Sequence, residues 1–153
     1  MIGQGVLFDD YTIGATYTTL GRTISETDIV NFVNLGGFTE PLFIDMEYVA
    51  RESVFARRAA PGAMTFALSE GLCMQTSLIH GTGMAWLGGE VRVTAPVLQG
   101  DTIHVEIEIV DKRETKKPDR GIVTYRHRVL NQRGEVVMEL RLQRMIKRKT
   151  KSM

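Results

Sequence analysis

The sequence predicts an α+β fold, an antiparallel sheet wrapped around one long central helix. Three observations carry that reading. The stretch "APGAMTFALSEGLCMQTSLI" at 60–79 spreads apolar residues around most of a helical circumference, so it reads as a helix buried on nearly all sides. In the second half of the chain the period drops to two: Ile103, Val105, Ile107 and Ile109 alternate with His104, Glu106 and Glu108, a strand with one wet face. Finally, one strand is followed by helices and then by about four long antiparallel strands, which places the helices on one side of the sheet.

Taken in order, "TYTTLGRTI" (16–24) is a strand by its β-branched and aromatic content. Ser25 and Asp28 have capping-box spacing, Ile29, Phe32 and Val33 share one helical face, and Gly36-Gly37 stops that helix. "DMEYVARES" is a second short helix with Asp45 as its N-cap. "GGEVRVTAPVLQGDTIHVEIEIVDKRE" gives two strands around a turn at Gln99-Gly100-Asp101, with Pro96 at a bulge or an edge. "GIVTYRHRVL" and "VVMELRLQRMIK" complete the antiparallel run, with "KRETKKPDRG" (112–121) as a charged connection. The chain, 1–153, reads as a single domain, with 147–153 as a frayed tail.

The composition narrows the classes of function. At 43% hydrophobic and 24% charged residues the chain has the profile of an ordinary globule. A net charge of +1 lacks the basic excess of a nucleic-acid binder. The N-terminal stretch has no signal-like pattern and no apolar run is long enough to span a bilayer, so a cytoplasmic protein with no membrane partner is expected. Cys73 alone builds neither a disulfide framework nor a cysteine zinc site, and reads as a packed thiol. The histidines His80, His104 and His127 have no metal-ligand spacing, so no metal site is expected. His80 reads as a loop residue, His104 as solvent- or partner-facing, and His127 as a satisfied interior or interface residue. A single sheet leaves an edge to cover, so a homodimer or a higher homo-oligomer is expected.

"FVNLGGFTEPLFIDMEYVARESVF", "RRAAPGAM" and "GGEVRVTAPVLQGDTI" together resemble the MaoC-like hydratases and dehydratases, over about residues 10 to 146. The resemblance implies the hotdog fold. It also implies (R)-specific hydration of an enoyl-CoA thioester or dehydration of a 3-hydroxyacyl-CoA, with acyl-CoA or an acyl-carrier thioester as ligand, no separate cofactor, and a pocket at a subunit boundary. The family motif, approximately S-G-D-x-N-P-L-H-x-D, falls on "GGFTEPLFID" without a gap. Pro41-Leu42 and Asp45 match. The family's catalytic aspartate falls on Phe38 and its catalytic histidine on Phe43, and neither phenylalanine titrates.

Hydration needs an acid–base group and a site for the negative charge that develops on the thioester oxygen. "PGAM" offers the second: the amides of Gly62 and Ala63, at a helix N-terminus, are expected to face the carbonyl oxygen. For the first, Glu40 stands between the two phenylalanines, where aromatic surroundings would raise its pKa; a surface glutamate is the bland alternative. Glu70, with Ser69, is unusual inside an apolar helix. It is open to a thioesterase role, or to pairing with Arg126, Arg128 or Arg141. Arg57 and Arg58 are candidate contacts for the CoA phosphates. Three readings therefore stand: a hydratase or dehydratase with a rearranged acid–base pair, a thioester-binding module without turnover, and a thioesterase.

Overall fold

The computed structural model describes residues 3–149. After a 3-10 turn at Phe8–Asp10 come β1 (Thr16–Thr18) and β2 (Arg22–Thr23), then α1 (Glu26–Gly36), α2 (Pro41–Ile44), α3 (Met46–Glu52) and α4 (Gly62–Gln75). Four long strands follow: β3 (Gly83–Val93), β4 (Thr102–Glu114), β5 (Arg120–Leu130) and β6 (Val136–Lys147). The sheet is antiparallel in the order β1-β4-β5-β6-β3, with β2 on the end of β4.

The expected strand at 16–24 is thus two short pieces. The two strands flanking the Gln99–Asp101 turn do not pair with each other: β3 runs beside β6, at the far edge from β1. Pro96 falls between strands, in a connection whose backbone bonds to Val137 and to Ala60. A residue that cannot donate to a ladder fits there.

Helix α1 forms as its sequence dictates. The Ser25 hydroxyl accepts from the Asp28 amide at 3.1 Å, and the Asp28 carboxylate accepts from the Ser25 amide at 2.9 Å. Gly37 ends the helix in the left-handed region at φ 67°, where a Cβ is disfavoured. Asp45 caps α3, accepting from the Glu47 and Tyr48 amides.

The core lies between the helices and one face of the sheet. Along that face Val105 pairs with Val129, Ile107 with His127, Ile109 with Tyr125, and His127 with Leu140. The opposite face carries a charge ladder, with Arg128 at 3.1 Å from Glu106 and Arg126 within 4.0 Å of both Glu108 and Glu139. Each such exposed pair contributes less than about 1 kcal/mol, and the alternation itself sets the register.

Two expectations are corrected here. Helix α4 spans 14 residues and is not sheathed on all sides. Met64, Thr65, Ser69, Leu72 and Cys73 are buried, while Gly62, Ala63, Ala67, Gly71 and Met74 are exposed. Its polar residues do not mark a wet face, so periodicity alone could not locate the open side. The chain end is also more ordered than expected. Lys147 closes β6, Arg148 pairs with Asp9 and Glu114, and Lys149 pairs with Asp10. The rest of the expected tail, 150–153, lies outside the described residues.

Candidate functional site

The turn at Gly36-Gly37 places the first aromatic residue of the motif-like loop. A Cβ on Gly36 would stand 2.6 Å from the Phe38 ring, so only glycine leaves room for that ring to fold back. Phe38 then packs between Phe32, at 5.4 Å between ring centroids, and Phe43, at 6.3 Å. All three rings are half-buried against the core. The two positions where the resemblance puts an acid and a base thus form one aromatic cluster. Glu40, between them, is exposed and sits at the N-cap of α2 without a capping bond. The aromatic rings pack against one another and leave the Glu40 carboxyl outside, so the expected desolvation is not provided by this chain alone.

Arg58 holds this loop in place. Its guanidinium donates to the Phe43 carbonyl at 2.6 Å and to Glu26 at 3.2 Å, and the side chain is buried. The expectation that Arg58 reaches a CoA phosphate is therefore corrected: its donors are turned inward. Arg57 is exposed, with Nη1 on the Gln99 carbonyl at 3.0 Å.

Pro61 begins α4. It offers no side-chain cap, and its carbonyl accepts from Met64 and Thr65. Among the described residues the amides of Gly62 and Ala63 have no acceptor, and both residues are exposed. Gly62 lies against Val93 at the open edge of the sheet, where an added Cβ would come within 3.3 Å of it. Two free donors with partial positive charge are what a developing oxyanion requires.

The largest departure from the sequence reading lies under α4. Glu70 and Cys73, three apart on one face of the helix, meet His127 of β5 and Arg144 of β6. Arg144 donates to Glu70 Oε2 at 2.6 Å. The partner expected from the strands was Arg126, Arg128 or Arg141, but those side chains belong to the opposite face of the sheet, where only one register parity points inward. Among the described residues Glu70 Oε1 is buried without a hydrogen bond, 3.6 Å from His127 Nδ1. Cys73 Sγ lies 3.7 Å from the same nitrogen. Burial, with a contribution from the Arg144 charge, pushes His127 down to about 3, so it is neutral at physiological pH. Burial pushes the Cys73 thiol up to about 12, with the Glu70 carboxylate adding to the shift. A neutral thiol is a poor nucleophile.

Around this cluster the polar groups continue. Tyr125 donates to Tyr11 at 2.8 Å, and Tyr11 to the Leu78 carbonyl at 3.4 Å. The Arg144 guanidinium lies 5.7 Å from the Tyr125 ring centroid. Ser69, also flagged in the sequence, turns back to bond the Phe66 carbonyl at 2.8 Å. A cleft of about 410 Å³ opens beside Arg144, between Met74 of α4 and Met84 and Trp86 of β3. Sequence spacing could not reveal this cluster, because its members come from three elements. The one local signal was the carboxylate in an apolar helix. His80 and His104 stand apart from it, the first exposed and the second half-buried.

Comparison with known proteins places the fold. Residues 10–131 match the family described as MaoC like domain. The chain is 28% identical over 132 residues to an (R)-specific enoyl-CoA hydratase of Rhodospirillum rubrum, covering 86% of this chain and 85% of that one. It is 28% identical over 104 residues to a 3-hydroxybutyryl-CoA dehydratase of Methylorubrum extorquens, covering 68% of this chain and 64% of that protein's length. Among solved structures, a monoamine oxidase regulatory protein from Archaeoglobus fulgius superposes with a TM-score of 0.88 at 31% identity, covering 96% of this chain and 97% of the other. The antiparallel sheet with its packed helix is accordingly a hotdog architecture, and the chain belongs to the MaoC-like hydratase and dehydratase family.

Proposed function

We propose that this chain binds an enoyl-CoA or 3-hydroxyacyl-CoA thioester at the N-terminus of α4 and interconverts the two by hydration and dehydration, with Glu40 as the acid–base group. The observation that carries the reading is the pair of unclaimed amides at Gly62 and Ala63. A thioester carbonyl oxygen seated there gains two hydrogen bonds as charge builds on it. Such donors act where charge develops in the transition state and cost no reorganisation. Phe38 and Phe43 supply apolar surface for the acyl group. Glu40 is the one ionisable side chain between them.

A second copy of the chain completes the site in this reading. Strand β3 leaves one edge of the sheet open, and Trp86, Leu87, Val91 and Val93 are exposed along it. Gly62 touches that edge through Val93. A partner seated there covers the small residues of α4, encloses the amides, and dries the surroundings of Glu40. Contact between CoA phosphates and the exposed Arg57 fits the same placement.

One observation favours a second reading, in which the thioester is held without turnover: Glu40 is exposed, and nothing else in the loop moves a proton. The thioesterase reading is weaker, because Glu70 is engaged by Arg144. Incubation with crotonyl-CoA separates the three. Loss of the conjugated thioester absorbance, abolished by Glu40→Gln while binding by calorimetry persists, supports the proposal. Unchanged turnover in Glu40→Gln removes Glu40 from it. Binding with neither absorbance loss nor thiol release leaves the holding function, and release of free thiol establishes thioester hydrolysis.

A further inference from the structure

We propose that Glu70, Cys73 and His127 form a binding site for a divalent cation of the zinc class. The three side chains present one carboxylate oxygen, one sulfur and one ring nitrogen within 4.8 Å of one another. His127 Nδ1 lies 3.7 Å from Cys73 Sγ and 3.6 Å from Glu70 Oε1. Tetrahedral coordination with ordinary zinc bond lengths separates a nitrogen from a sulfur by about 3.6 Å, and from an oxygen by about 3.4 Å. These two separations are close to those of ligands around a metal.

The arrangement converges rather than relays. In a nucleophile–histidine–carboxylate relay the nucleophile and the carboxylate address opposite ring nitrogens. Here both address Nδ1, so the thiol, ring and carboxylate share a centre. Glu70 is divided between two tasks in a way that suits a ligand. Oε2 is held by Arg144 at 2.6 Å, while Oε1 is buried with no hydrogen-bond partner among the described residues. Hydrogen bonding to the far oxygen fixes the carboxylate, as an outer-shell partner does for a metal ligand. Such an orphaned acceptor costs free energy unless something satisfies it.

Thiolate and imidazole donors select zinc or cobalt over magnesium or calcium, which prefer oxygen. Binding converts the Cys73 thiol to a metal-bound thiolate and releases its proton to solvent, one proton for each cation bound. Three protein ligands leave a fourth position for water. A cleft between Met74, Met84 and Trp86 has Arg144, the partner of Glu70, in its wall. The proposal does not depend on thioester binding, because none of its ligands belongs to the loop or to the α4 N-terminus.

The test uses the full chain, stripped with chelator and titrated with cobalt(II) alone. Cys73 is the sole cysteine, so a thiolate-to-cobalt charge-transfer band in the near ultraviolet reports this site and no other. The expected result is a band that saturates at one equivalent, with visible bands of four-coordinate cobalt and displacement by zinc. Glu70→Gln and His127→Asn should each weaken binding by at least about tenfold, the lower end of what loss of an outer-shell partner costs. Absence of the band in the wild-type chain overturns the proposal, as does a band whose affinity neither variant changes. Should the variants fail to fold, X-ray absorption of the wild-type zinc form decides. One sulfur and one imidazole in the shell support the site, and a shell without imidazole sinks it.

Discussion

The loop from Phe38 to Ile44 and the interior between α4 and the sheet differ in the opposite sense to their settings. The loop is partly open to solvent, yet Glu40 is its one ionisable residue and its aromatic rings pack on one another. The interior is enclosed, yet it holds a carboxylate, a thiol, an imidazole and a guanidinium within a few ångströms. Polar groups are costly where water is excluded, so the interior set persists only because its members satisfy one another or a ligand. Apolar groups on a loop cost little, so the loop accommodates its packed rings without loss of fold. The polar groups of this chain's interior and the aromatic groups of its loop are thus held by different constraints.

Arg144 is the most constrained member of the interior set. Arg144→Met leaves the Glu70 carboxylate buried without its cation and should lower stability by about 3–5 kcal/mol, read as a fall in the urea midpoint. The double variant with Glu70→Met should recover much of that loss. If Arg144→Met alone is neutral, the interior polar set is not under the tension described. The loop is tested by giving it an acid–base pair. Phe38→Asp with Phe43→His should raise the rate of crotonyl-CoA hydration by a factor on the order of 10² to 10⁴, measured by loss of enoyl absorbance. A folded variant with no gain would show that the amides of Gly62 and Ala63 are not positioned for that chemistry.

Smaller effects sharpen the contrast between loop and frame. Ser25→Ala removes one arm of the capping box and should cost about 1 kcal/mol, with no change in thioester binding by calorimetry. The smallest effect concerns acid. Burial pushes the Asp101 carboxyl up, but the bonds from the Gln132 side chain and the Leu98 amide, with the Arg133 charge, outweigh it and hold the carboxyl below its ordinary value. A depressed folded value means that the unfolded chain binds the proton more readily. The contribution of Asp101 is therefore complete above the ordinary aspartate value of about 3.9 and is lost as pH falls through the lower folded value. Urea midpoints measured below about pH 4 should fall less steeply in Asp101→Asn than in the wild type. An identical slope would remove Asp101 from the acid response.

Much of the frame was legible in the sequence because its signals are local. Ser25, Asp28 and Gly37 lie within one turn of the helix ends they define, and the alternation from Ile103 to Ile109 requires only that one face of a strand be dry. The strand order was not legible, since β3 and β4 are close in sequence yet lie at different places in the sheet. The candidate site divides in the same way. The presence of phenylalanine at positions 38 and 43, and the amide pair after Pro61, could be read from consecutive residues. The inward turn of Arg58, and the choice of Arg144 over Arg126, Arg128 and Arg141 as the partner of Glu70, depend on side-chain direction in the assembled fold.

Local sequence was enough for the α+β class, for the cap and stop of α1, for the cap of α3, and for the phenylalanines that flank Glu40. Each of these rests on interactions among residues near one another along the chain. Tertiary structure alone decided which face of α4 is covered, which arginine reaches Glu70, and that Cys73 and His127 share a centre with it. Those outcomes join groups separated by as many as 74 positions, and strand pairing fixes which side of the sheet each of them faces.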